Sequence, residues 1–87
     1  MAKQLPEWLV EVEGKRYFKL SRPPRVGDTV IFYFRSSPEP LVGTYRRKTR
    51  HDEDVFAWVY VKDRGMYYIQ RPNTITAVDP LEDGDSP

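Results

Sequence analysis

The sequence predicts an all-β fold: a small barrel of about five strands with an N-terminal β-hairpin packed on it. Three observations carry that prediction. Apolar and polar residues alternate with period two in several short runs, and no stretch sustains the three- and four-residue apolar spacing of a helix. Turn-forming residues recur at close intervals between those runs. The run from Val55 to Lys62 places Val55, Ala57, Val59 and Val61 on one face of a strand and Phe56, Trp58, Tyr60 and Lys62 on the other. The aliphatic row is compact and suits the inside of a tightly curved sheet. The aromatic row is large and needs a cover or a ligand.

Each element follows from its own residues. Residues 8–12 (Trp-Leu-Val-Glu-Val) and 16–20 (Arg-Tyr-Phe-Lys-Leu) read as a hairpin around Glu13-Gly14-Lys15. Ser21 to Arg25 contains paired prolines and forms a stiff connector. Gly27-Asp28 turns the chain into a strand with Val30, Phe32 and Phe34 on one face. Ser36 to Pro40 is a loop, and residues 41–50 form a long strand that ends in Arg46-Arg47-Lys48-Thr49-Arg50. His51 to Asp54 turns into the aromatic strand, and Asp63-Arg64-Gly65 turns out of it. Met66 to Gln70 is a further strand, Arg71-Pro72-Asn73 breaks it as a turn of 3₁₀ helix, and residues 74–78 form the last strand. The organisation is thus a hairpin extension over 1–22, a barrel over 23–80 and an acidic, disordered tail over 81–87. The hairpin lacks a core of its own, so it is expected to lie across Phe56, Trp58 and Tyr60.

Composition narrows the function classes. Eighty-seven residues make one small domain. Without cysteine there is no disulfide and no thiolate metal site. No apolar run approaches the roughly 18 residues that span a membrane. The opening residues carry no hydrophobic leader, so a soluble cytoplasmic protein is expected. The net charge of +1 hides an asymmetry: Asp79, Glu82, Asp83 and Asp85 cluster near the end. Setting these four aside leaves nine acidic residues against 14 lysines and arginines, so the rest of the chain is basic.

From Val26 to Pro80 the order of elements resembles the SH3-like small barrels of the Tudor, KOW and chromo-barrel type. The residues that carry the resemblance are Val26-Gly27-Asp28-Thr29-Val30, the strand from Leu41 to Arg46 with Gly43 inside it, the strand at 55–62, Asp63-Arg64-Gly65, and the break at 71–73. It covers about two-thirds of the chain. Such domains bind nucleic acids, bind methylated side chains, or join subunits of complexes, so the resemblance leaves the function open. The one enzyme family among them, the plasmid-borne type II dihydrofolate reductases, uses a Val-Gln-Ile-Tyr stretch. Here the order is Tyr68-Ile69-Gln70-Arg71, which speaks against reductase activity.

The basic run is the leading candidate site. Strict alternation would put Arg46, Lys48 and Arg50 on one face and Arg47 beside Tyr45 on the other. These side chains could meet phosphates, Tyr45 with Trp58 or Tyr60 could stack on exposed bases, and Arg35, Lys62 and Arg64 could extend the patch. A solvated edge neutralised by Asp52, Glu53 and Asp54 is the competing reading. A ring cage for a methylated cation could draw on Tyr33, Trp58, Tyr60, Tyr67 and Asp63. A calcium loop lacks its ligand spacing, and a single histidine, His51, excludes histidine-based zinc sites. No nucleophile motif or phosphate loop is present, so no enzyme activity, metal, cofactor or small-molecule substrate is expected. The expected function is a non-catalytic module that binds nucleic acid, either RNA or DNA, through the basic hairpin and its aromatic neighbours. The alternative is a protein-interaction module or small complex subunit, including an inhibitor of a larger enzyme, acting through the aromatic surface or an edge strand.

Overall fold

The alternating runs become strands in the computed structural model, which describes residues 6–35 and 38–81. Residues 1–5, Ser36, Ser37 and most of the expected acidic tail (82–87) lie outside the described residues. The strands are β1 (Leu9–Val12), β2 (Lys15–Lys19), β3 (Thr29–Phe32), β4 (Leu41–His51), β5 (Asp54–Val61), β6 (Met66–Gln70) and β7 (Thr76–Pro80). A turn of 3₁₀ helix over Pro72–Thr74 precedes β7, and the described residues contain no α-helix. All pairings are antiparallel, in the order β1-β2-β7-β3-β4-β5-β6, so one seven-stranded sheet is formed and it is not closed.

The sheet is strongly curled. Neighbouring strands lie about 4.8 Å apart, so a flat sheet would hold β3 and β6 roughly 14 Å from each other. Yet the rings of Phe32 and Tyr68 are 5.5 Å apart, and Phe34, just past β3, lies 4.8 Å from Tyr68. Val30, Phe32, Tyr45, Ala57, Val59, Val61, Tyr68 and Ile75 fill the inside of this curl. Ala57, Val59 and Val61 of the expected aliphatic row are therefore interior, and Val55 is half-buried. Gly43 makes the close approach of β4 to β5 possible. A Cβ there would fall 2.5 Å from Val59 Cγ1 and 2.7 Å from the Tyr60 carbonyl oxygen.

The N-terminal hairpin does not lie across Phe56 and Trp58; of the aromatic row it reaches only Tyr60. Its β2 strand pairs with β7 on the far side of β3, so the hairpin meets β5 only near its end, where Lys15 and Tyr17 border a groove with Tyr60, and Val12 and Glu13 line a cleft with Val61. Val10, Val12 and Tyr17 pack instead with Ile31, Val42 and Val78 on the opposite face of the sheet from the first cluster. The hairpin closes through Glu13-Gly14 alone, because Val12 pairs with Lys15. Both turn residues have positive φ (52° and 82°), the arrangement that matches a two-residue loop to the twist of its strands.

The connector is fastened by Asp28. Arg22 donates from Nη1 to Asp28 Oδ2 (2.7 Å) and from Nη2 to Oδ1 (3.0 Å), and the Arg25 backbone N–H donates to Oδ2 (2.8 Å). Asp28 also joins the sheet, since its carbonyl accepts the Tyr45 N–H at 2.9 Å. One carboxylate thus ties the proline connector to the start of β3.

Two expectations follow. Gly43→Ala forces a methyl against backbone that cannot yield, and overpacking of that kind costs about 1–3 kcal/mol; urea denaturation reads the loss. The Arg22 hydrogen bonds hold the Asp28 carboxyl below the usual carboxylate range. Its contribution is therefore complete above the unfolded value of about 4 and is lost as pH falls toward the folded one. The stability gap between the wild type and Asp28→Asn should narrow below about pH 4; a gap that stays constant down to pH 2 contradicts this account.

Candidate nucleic-acid interface

Strand β4 outlasts its neighbour. Its pairing with β3 ends at Thr44, so the ladder of the stretch from Arg47 to His51 is made with β5 alone. The register on β5 shifts between Tyr45 and Arg47: Tyr45 stands opposite Val59, Arg47 opposite Trp58, and Arg46 is the extra residue of a β-bulge. A bulge breaks alternation, and here it changes the composition of both faces. Arg46 and Arg47 now point to the same side as Trp58 and Tyr60. Lys48 pairs with the buried Ala57 and Arg50 with Val55, so these two belong to the other face.

The outer face answers what covers the aromatic row. The Arg46 guanidinium carbon lies 5.2 Å from the ring centre of Tyr60, that of Arg47 lies 5.5 Å from Trp58, and that of Arg71 lies 5.1 Å from Phe56. All three distances are within the range of cation–π attraction. Tyr67 on β6 packs edge-on against both Trp58 (6.0 Å) and Tyr60 (5.1 Å). Trp58 is further held by Thr49, whose Oγ1 accepts the indole N–H at 2.9 Å. Each large side chain of the row is thus oriented yet only partly buried.

The competing picture of a neutralised edge required the basic side chains to meet carboxylates. Among the described residues Arg46, Arg47, Lys48 and Arg50 make no ion pair. The acidic turn engages elsewhere: Asp54 accepts from Arg71 at 3.3 Å, and Asp52 lies 3.9 Å from His51 in an exposed contact. Rings, not acids, hold Arg46 and Arg47.

Several candidate residues fall outside this face. Tyr45 is 2% exposed and sits in the inner core, because β4 enters the bulge with Tyr45 facing Val59; it cannot stack on a base. Lys48 lines a cleft of about 570 Å³ with Pro23, Pro24, Val55 and Pro72 at the mouth of the curl. Arg35, with φ of 57°, rests over its neighbour Phe34, which packs on the inner cluster. Arg64 lies in the turn after β5 beside Val12 and Glu13 of the hairpin. Lys62 stays with the outer face, where it borders a groove with Thr44, Tyr60 and Lys15. Of the two consecutive tyrosines on β6, Tyr68 is buried and Tyr67 is exposed.

Three contributors escaped the sequence reading. Arg71 appeared there as a strand breaker, Thr49 as a member of the basic run without a role, and Ile69 was left out of the aromatic surface. Register could have found them: a two-residue turn at Asp52-Glu53 sets Thr49 opposite Phe56, and Ile69 faces Trp58. Among the described residues no group of three or more His, Asp or Glu side chains is gathered where it could hold a metal ion. Compared with protein-family models, curated proteins and solved structures, the chain matches none.

Burial raises the Tyr45 phenol above its ordinary value near 10. The folded protein then keeps a proton that the unfolded chain releases above that pH, so stability falls as pH rises past about 10. Tyr45→Phe should remove that part of the alkaline loss. Denaturation curves at pH 8 and pH 11 measure it, and an unchanged difference between the two proteins contradicts the placement of the phenol.

Proposed function

We infer that the protein is a non-catalytic module that binds single-stranded nucleic acid across the outer face of β4, β5 and β6. The observation that carries this reading is the bulge: it sets Arg46 and Arg47 side by side over Tyr60 and Trp58, with no carboxylate partner among the described residues. Alternate residues of a strand are about 6.8 Å apart, so the face offers a β5 ring with a guanidinium from β4 or from Arg71 at each such step. An extended polynucleotide repeats its base and phosphate on a similar scale. Rings accept bases of any sequence by stacking, and guanidiniums can leave the ring for a phosphate, to which they bind bidentately. Lys62 and Arg71 extend the charge at either end.

The fold reading accompanies the functional one. Strands β3 to β6 run as a meander, a 3₁₀ turn follows, and β7 returns to pair with β3. That order, with the tight curl, supports an SH3-like small barrel extended by a hairpin. The exposed Met66, Tyr67 and Ile69 on edge strand β6 favour a second reading, a polypeptide partner docking by strand addition.

Salt separates the two. Four phosphates neutralised on a single strand give a slope of log affinity against log salt near −3. Replacing both Arg46 and Arg47 with Ala should bring it to about −1.5 while the NMR dispersion of a folded sheet is retained. Absence of binding to any oligonucleotide, or binding indifferent to salt, rejects the nucleic-acid reading. Capture of a polypeptide that Ile69→Asp abolishes would favour the second.

A further inference from the structure

Between two of the ring–guanidinium pairs lies a depression of about 260 Å³ lined by Thr49, Phe56, Trp58 and Ile69. It is smaller than the roughly 300–1,000 Å³ usual for whole small-molecule sites. Its walls are apolar: the two rings, half-exposed Ile69, and a single hydroxyl. Arg47 lies over the Trp58 ring and Arg71 over the Phe56 ring, so each ring of the depression carries a guanidinium.

The hydroxyl is the informative group. A threonine oxygen can accept two hydrogen bonds and donate one. Thr49 Oγ1 uses an acceptor position on the Trp58 indole N–H at 2.9 Å. Accepting from the indole fixes the oxygen beside Trp58 and leaves its proton without a partner among the described residues. A flat apolar recess with one oriented donor and a guanidinium on each of its rings is complementary to an unpaired base whose neighbouring phosphates lie outside the recess.

Resting on the functional reading above, we propose that Thr49, Phe56, Trp58 and Ile69 form a subsite for one unpaired base, with the Thr49 hydroxyl donating to a ring carbonyl or ring nitrogen of that base. Thr49 is then a contact of the bound base as well as the residue that positions Trp58. Thymine fits the requirement, since it carries carbonyl acceptors and a methyl group for the apolar wall.

The test compares a short oligodeoxythymidylate with an abasic deoxyribose-phosphate strand of the same length, by fluorescence anisotropy at fixed salt. The wild type should bind the thymidylate more tightly than the abasic strand. Thr49→Val should weaken thymidylate binding roughly three- to tenfold, the worth of one hydrogen bond, and leave abasic binding and the salt slope unchanged. Thr49→Ser should restore the wild-type affinity. A loss of the same size on a strand carrying 2,4-difluorotoluene, a thymine isostere without strong acceptors, would reduce Thr49 to a prop for Trp58 and overturn the proposal, as would no loss on thymidylate. If the wild type binds neither strand in a salt-dependent way, the functional reading itself falls, an outcome distinct from both.

Discussion

One extra residue in one strand governs the character of this surface. Without the bulge at Arg46, alternation along β4 would pair Arg47 with Tyr45 and send it inward, where a guanidinium among Val59, Ala57 and Tyr68 would have no partner. The bulge resolves that conflict. It lets Tyr45 finish the core and returns the very next residues to solvent above the aromatic row. It also shifts Lys48 and Arg50 to the opposite side, so the cations are shared between two faces. Bulges of this kind re-aim side chains near the ends of paired strands, and here the re-aimed groups are the most chemically distinctive of the chain.

The curl of the sheet and the two-sided core are linked. A short sheet buries little if it stays flat, and seven strands in about 80 residues leave no material for a second layer. Bending β3 to β6 around Phe32, Val59 and Tyr68 encloses one cluster. Bringing the hairpin to β7 encloses another on the reverse side, around Ile31 and Val78. Adjacent residues of β3 therefore serve different cores: Val30 and Phe32 one, Ile31 the other. The closeness that Gly43 permits is the local condition for the first, and the Asp28 anchor sets the path that leads to the second.

Much of this was legible in the residues, and the failures have a common cause. Alternation between 55 and 61 identified the buried row without ambiguity, because valine and alanine on one side leave no competing choice. The hairpin around Glu13-Gly14-Lys15 and the turn over His51 to Asp54 were visible from turn chemistry, which is local. What escaped depends on pairing between distant segments. The destination of the hairpin depends on where β7 lies, and nothing in Trp8 to Leu20 records that. The bulge depends on the register of two strands, and Tyr45 looks like any tyrosine beside a basic run. Its neighbours in space, Val59 and Ile75, decide that it is core.

The position of β7 has a consequence for assembly of the chain. The first two strands acquire their sheet partner only from the last, since β2 and β3 are joined through β7. A ribosome releasing the chain in order would expose a finished meander of β3 to β6 and a waiting hairpin, each with an unpaired edge, until residues 76–80 emerge. Closure across such a long separation is slow relative to local pairing. The final strand is the one that converts two separate pieces into a continuous sheet.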